Sequence, residues 1–141
     1  MEGILWAGLS SGAFSMVFQV RGRHIPLSAL GGSLGWAVYL LVYREAHLLV
    51  VANLLAALAI ALYAEGIGAL CKTPATTYLA CALIPLVPGG GMYYTLSYSI
   101  MGNLEKSLAT GFETLSAAGA LAGGVAIGSV MARLLKAPRG G

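Results

Sequence analysis

Charged residues divide this chain into long apolar runs. Gly3 to Val20 is uncharged and ends at Arg21-Gly22-Arg23-His24. Ile25 to Tyr43 is uncharged up to Arg44-Glu45. Ala46 to Ala64 carries only His47 before Glu65, with Lys72 beyond it. Thr73 to Leu104 is uncharged, then Glu105-Lys106 follow. Ser107 to Ala132 contains one charge, Glu113, and gives way to a basic tail with Arg133, Lys136 and Arg139. Four of these runs are about one membrane span long, since roughly 20 apolar residues in a helix cross the hydrocarbon core.

The run from Thr73 to Leu104 is too long for one straight span and too short for two with a loop. Pro85 and then Pro88-Gly89-Gly90-Gly91 interrupt its middle. Proline removes a backbone donor and blocks helix continuation, and consecutive glycines make a helix costly in backbone entropy. The pattern predicts one discontinuous span, with half-helices over Pro74–Ile84 and Met92–Met101 and an unwound centre at Pro85–Gly91. The expected architecture is therefore an all-α membrane protein, a single transmembrane domain over residues 1–141. Its five transmembrane helices fall at about 3–20, 25–43, 46–70, 74–102 and 107–132, and the fourth is discontinuous. The first run has no basic residues ahead of it, only Glu2, and reads as a retained span rather than a cleaved signal.

An odd number of spans puts the two ends on opposite sides. With the N-terminus outside, the inner basic residues are Arg21, Arg23, Lys72, Arg133, Lys136 and Arg139. The outer ones are Arg44 and Lys106, each beside a glutamate. Six against two favours an N-out, C-in orientation.

Composition agrees with the pattern. Hydrophobic residues are 58% of the 141 positions and charged residues 9%, where an ordinary soluble domain has about 25% charged residues. A soluble bundle also needs a polar face on each helix, and these runs are apolar all round. The net charge of +3 comes from scattered basic residues, which argues against a nucleic-acid surface. Cys71 and Cys81 have no metal-ligand spacing and read as small packing residues. Gly8/Gly12, Gly31/Gly35, Gly119/Gly123 and Gly124/Gly128 are GxxxG pairs, suited to close helix approach in lipid and to a compact bundle or an oligomer face.

Candidate chemistry concentrates at the break. Unwound backbone at membrane depth is tolerated where it is buried in protein or lines a wet cavity, and such breaks mark substrate sites in transporters. The second half-helix would present free N–H groups and its positive dipole end to a carboxylate. Pro85, Pro88, Gly89, Gly90 and Gly91 form the candidate substrate site, with hydroxyls from Tyr94 and Thr95 in the following turn. The competing reading is a proline kink beside a glycine packing face.

Intramembrane carboxylates are the second candidates, because ionisable groups within spans are costly and tend to be functional. Glu65 continues a ridge of small and polar residues through Asn53, Ala57 and Ala61. Glu113 heads another through Ala117, Ala120, Gly124 and Gly128. Either is a candidate for ion coupling, and the alternative for each is interfacial solvation. His24 and His47 read as interfacial, and Trp6, Trp36 and Tyr39 as interface or packing aromatics. There is no aspartate, no nucleophile–base arrangement and no metal cluster, so neither an enzyme nor a cofactor is expected.

Thr73-Pro74-Ala75-Thr76, leading to Ile84-Pro85-Leu86-Val87-Pro88-Gly89-Gly90-Gly91-Met92-Tyr93, resembles the signature of the threonine/serine exporter family in its second-half form. The segment Phe18 to Gly35, with Ala29-Leu30-Gly31-Gly32, and the span Leu54 to Glu65 are similar as well. The resemblance implies a secondary transporter of the bacterial cytoplasmic membrane that exports small polar metabolites. These are threonine and serine, or in split members a dicarboxylate such as succinate. It also implies a separate first-half partner subunit. A non-transporting role in holding such a partner stays open beside it.

Overall fold

The computed structural model describes residues 2–20 and 22–136. Arg21 and Arg139, both part of the basic count, lie outside the described residues. Six α-helices follow in order: α1 Glu2–Val17, α2 Ile25–Ala46, α3 Leu49–Cys71, α4 Ala75–Leu83, α5 Gly89–Ile100 and α6 Leu104–Lys136. Short 3-10 turns at Gly22–His24 and Ile84–Leu86 precede α2 and follow α4. No strand occurs among the described residues.

Three helical segments are long and apolar enough to cross a bilayer: Gly22–Ala46, Leu49–Cys71 and Leu104–Leu135. The bent pair Ala75–Leu86 and Gly89–Ile100 makes a fourth when taken as one span. The expected first span is shorter than its apolar run. α1 stops at Val17, because Gln19 takes a left-handed φ of 57° and turns the chain. Its 16 residues rise about 24 Å, below the roughly 30 Å of a hydrocarbon core. The last helix is longer than the expected 107–132, and its 33 residues rise about 50 Å.

Proline sets the boundaries. Pro26 sits in the first turn of α2, Pro74 caps α4, Pro85 lies in the 3-10 turn and Pro88 caps α5. Each falls where a helical N–H has no partner within its helix, or where the helix has already ended. α2 and α3 end instead on left-handed caps, His47 and Lys72, each with φ 52°. Their amides return to the Tyr43 and Gly68 carbonyls.

α3 is the centre of the bundle. Ala52, Ala56, Ala57, Ile60, Ala61 and Ala64 are fully enclosed. The other helices reach it through small residues. At Gly124 a Cβ would be driven into the Leu54 carbonyl, and at Gly128 it would lie 2.7 Å from the Ala61 Cβ. α6 thus rests almost backbone to backbone on α3, as small-residue pairs permit in lipid. Gly35 lets α2 approach Ile60 in the same way. Large apolar side chains point outward, among them Leu5, Leu41, Leu70, Ile100, Phe112 and Leu135, the arrangement expected when lipid is the solvent.

Candidate functional site

A break in the helix is observed between α4 and α5, and it is shorter than the expected Pro85–Gly91. α4 passes into the 3-10 turn at Ile84–Leu86. Val87 is extended, and α5 begins at Gly89. Pro88 has φ −76° and ψ 55°, and the Gly89 amide donates to the Val87 carbonyl at 2.7 Å. These are the marks of an inverse γ-turn, whose central φ a proline ring already fixes. The half-helices meet at 49°, with 12 residues on each side of the break, so the interruption lies midway along the pair. Gly89, Gly90 and Gly91 are helical rather than unwound, because a first turn is where glycine costs a helix least and Met92-Tyr93-Tyr94 continue it.

α5 starts without a side-chain cap, since its N-cap is a proline. Gly89 spends its amide on Val87. The Gly90 and Gly91 amides, at the second and third helical positions, have no acceptor within α5 by helix geometry. They carry the positive end of its dipole.

Beside the break lies a cavity of about 320 Å³, at the small end of the range for metabolite pockets. α2 contributes Trp36 and Tyr39, and α3 contributes Leu49 and Asn53. The break contributes Pro85 to Pro88, and α5 adds Gly91. α6 presents Thr110, Glu113, Thr114 and Ala117, one helix face at spacings of three and four. Four of the residues singled out in the sequence therefore meet here: Pro85, Pro88, Gly91 and Glu113. Gly91 also lets α5 come close to α6, for a Cβ there would collide with the Thr114 hydroxyl.

The remaining candidates lie elsewhere. Gly89 and Gly90 are exposed with open space beside them. Tyr94 is exposed on the outer face of α5, stacked on Tyr98 and edge-on to Tyr93. The Thr95 hydroxyl donates to the Gly91 carbonyl at 2.7 Å and its methyl packs on Gly111, so it belongs to the α5–α6 contact. Glu65 is half-buried near the far end of α3, about 18 Å along the axis from Asn53.

Sequence reading missed Asn53, Trp36, Tyr39, Thr110 and Thr114 as members of this site. Their signals were present in part. Thr110, Glu113, Thr114 and Ala117 keep helical spacing around a carboxylate, and Trp36 and Tyr39 are three residues apart. Nothing local says that these two stripes face each other across the break. Hydrogen bonds within single helices set the polarity of the lining. Asn53 donates through Nδ2 to the Leu49 carbonyl at 2.9 Å, and Thr114 donates to the Thr110 carbonyl at 2.7 Å. The Thr114 hydroxyl has then spent its proton, and Asn53 keeps its Oδ1 acceptor.

The cavity opens to one side, and Glu113 is exposed. Among the described residues no group of three or more His, Cys, Asp or Glu side chains is placed to hold a metal ion.

The family model described as Threonine/Serine exporter, ThrE, matches residues 3–138 of the chain. No curated protein and no solved structure gives a match. A match over nearly the whole length, on a helical chain whose bent pair breaks at Ile84–Pro88, carries one conclusion: the chain belongs to the threonine/serine exporter family and is a component of a membrane transporter.

Proposed function

We propose that this chain is the small, second-half subunit of a two-component exporter in the bacterial cytoplasmic membrane. It moves a small carboxylate-bearing metabolite outward, threonine or serine or else a dicarboxylate such as succinate. Transport is coupled to protons. The observation that carries this reading is the uncapped start of α5 at a mid-span break, opening on a cavity that also collects Glu113. The amide of Gly91, which lines the cavity, receives the substrate carboxylate, with the Gly90 amide next to it in the first turn of α5. Glu113 takes part in the coupling, with Glu65 as the second carboxylate.

In this reading α1 supplies the fifth span and the chain lies N-out, C-in. The cavity then occupies the outer half of the membrane, between the break and the α2–α3 turn. Its open side and the exposed Glu113 support a partner subunit that completes the site, because a carboxylate facing lipid is costly. α5, which buries no residue within this chain, supports the same reading.

The test is export from preloaded cells carrying this chain and its partner. Thr110→Phe fills the cavity. Gly90→Leu places a side chain over the α5 amides at a position where a Cβ meets nothing within 4 Å. Each variant should lower export at least about tenfold at unchanged protein level, the loss expected when a ligand group is displaced from its hydrogen-bonding site. Normal export from both, at normal protein level, would favour the assembly role instead.

A further inference from the structure

We propose that the Tyr78 hydroxyl is the latch of an inner gate, holding α4, the first half of the broken span, shut against α2 and α3. This rests on the reading of the chain as a transporter subunit lying N-out, C-in, and concerns the end of the bundle opposite the cavity.

Tyr78 is the largest fully enclosed side chain among the described residues. It stands in the first turn of α4. Its hydroxyl shares a hydrogen bond with Nδ1 of His24, the N-cap of α2, and the two rings meet at 5.9 Å and 57°. The Cys71 thiol, at the end of α3, and the Thr73 hydroxyl, in the connection to α4, lie within reach of the same oxygen. A hydroxyl has one proton to donate and two lone pairs to accept with, so this one group gathers the inner ends of three helices. Two further bonds fix what it grips. The Ser28 hydroxyl donates to the His24 carbonyl at 3.3 Å, and the Tyr63 hydroxyl donates to the Leu27 carbonyl at 2.8 Å.

The two halves of the broken span are seated on different parts of the bundle. α4 packs against α1, α2 and α3, whereas α5 packs chiefly against α6. The break, bent by 49°, is thus a joint between two separately held arms. Tyr78 lies ten residues before Pro88, about 15 Å along the first arm, where a small turn of the joint gives a large displacement. A shallow groove lined by Phe18, Val20, Thr76, Thr77 and Ala80 separates this part of α4 from the chain leaving α1, and gives the arm space to enter. The latch is also cheap to open. A hydroxyl bond exchanged for one to water loses little, and the exposed Arg23 and Lys72 place water at this end of the bundle. The glycine seam between α3 and α6 offers no such exchange. Under the N-out orientation the cavity is open in the outer half while the latch is closed at the inner end, the pairing that alternating access requires. Release of Tyr78 opens the inner end for loading.

The experiment uses the chain assembled with its partner in liposomes, a membrane-impermeant maleimide as the probe, and no substrate. Cys71, in a Cys81→Ala background, reports the inner end. Thr110→Cys, in a background of Cys71→Ser and Cys81→Ala, reports the cavity. Tyr78→Phe keeps the ring and removes the hydroxyl. It should raise labelling of Cys71 from the inner face about fivefold, the equilibrium shift of one lost hydrogen bond. It should also lower labelling of Thr110→Cys from the outer face, because one state gains what the other loses. His24→Leu should do the same, and the two changes together should do no more than either alone. Faster labelling of Cys71 with Thr110→Cys unchanged would reduce Tyr78 to local packing and overturn the latch, as would unchanged labelling at both positions. If Tyr78→Phe does not assemble, His24→Leu and Thr73→Val carry the same test. Normal export from Gly90→Leu and Thr110→Phe would remove the substrate site and leave these labelling results as they are.

Discussion

The two helices that flank α6 are held to it in opposite ways. α3 meets the C-terminal half of α6 with backbone almost touching backbone, through Gly124 and Gly128, and Ala57 and Ala61 facing them are fully enclosed. α5 meets the N-terminal half through Gly91 and Thr95, with Ser107, Gly111 and Thr114 opposite, and buries none of its residues. Bilayer lipid supplies no hydrophobic drive between helices, so close packing and hydrogen bonds do the holding. The α3–α6 seam has the packing of a fixed frame. The α5–α6 contact is narrow and polar, with the Ser107 hydroxyl donating to the Thr95 carbonyl at 2.9 Å. The cavity beside the break lies where these two kinds of contact meet.

The largest effect should come from the seam. Gly124→Leu forces a side chain into the Leu54 carbonyl and the Ala57 Cβ, where no flexible end can yield. A loss of about 3 kcal/mol is expected, seen as failure to recover monodisperse protein from detergent. Recovery at the wild-type level would refute the rigid-frame half of the comparison. Gly91→Ala tests the other half. Its new Cβ meets the Thr114 side chain, whose removal is simple. The single variant should lose about 1 to 2 kcal/mol, and the double variant with Thr114→Ala should recover most of it. A double-mutant cycle in thermal melting measures the coupling. Additive losses would mean that α5 and α6 do not touch here. The smallest effect belongs to Gly123→Ala, where a Cβ meets nothing within 4 Å. Alanine in place of glycine inside an exposed helix should add about 0.5 to 1 kcal/mol. A fall in stability confined to the complex with the proposed partner subunit would identify this face of α6 as covered.

Much of the fold was legible because lipid imposes a coarse rule. The runs between charges gave the helices within a few residues, and Pro85 and Pro88 gave the interruption. Where the boundaries differ, local geometry explains it. α1 ends early because Gln19 turns left-handed, and the break is narrower because a γ-turn at Pro88 needs only one residue before helix resumes. The small-residue ridge below Glu113 packs as its spacing suggests, with Ala117, Ala120, Gly124 and Gly128 buried, yet Glu113 itself is exposed at the cavity. The site was legible only along each helix. Trp36 and Thr110 are 74 positions apart in sequence, and no periodicity links them. Tyr94 and Thr95 follow the glycines closely, but helical rotation turns the first outward and commits the second to its own backbone.

If the leading amides of α5 receive a carboxylate as proposed, Pro88 has a consequence for the empty and loaded forms. A helix that opens with serine or aspartate carries its own stopper. One that opens with proline leaves its leading amides waiting for a partner from outside. The vacant protein is then the more frayed of the two at this point, and arrival of an anion completes the secondary structure as well as filling a space. On that reading recognition and local ordering become one event, and departure of the carboxylate loosens the junction between α4 and α5.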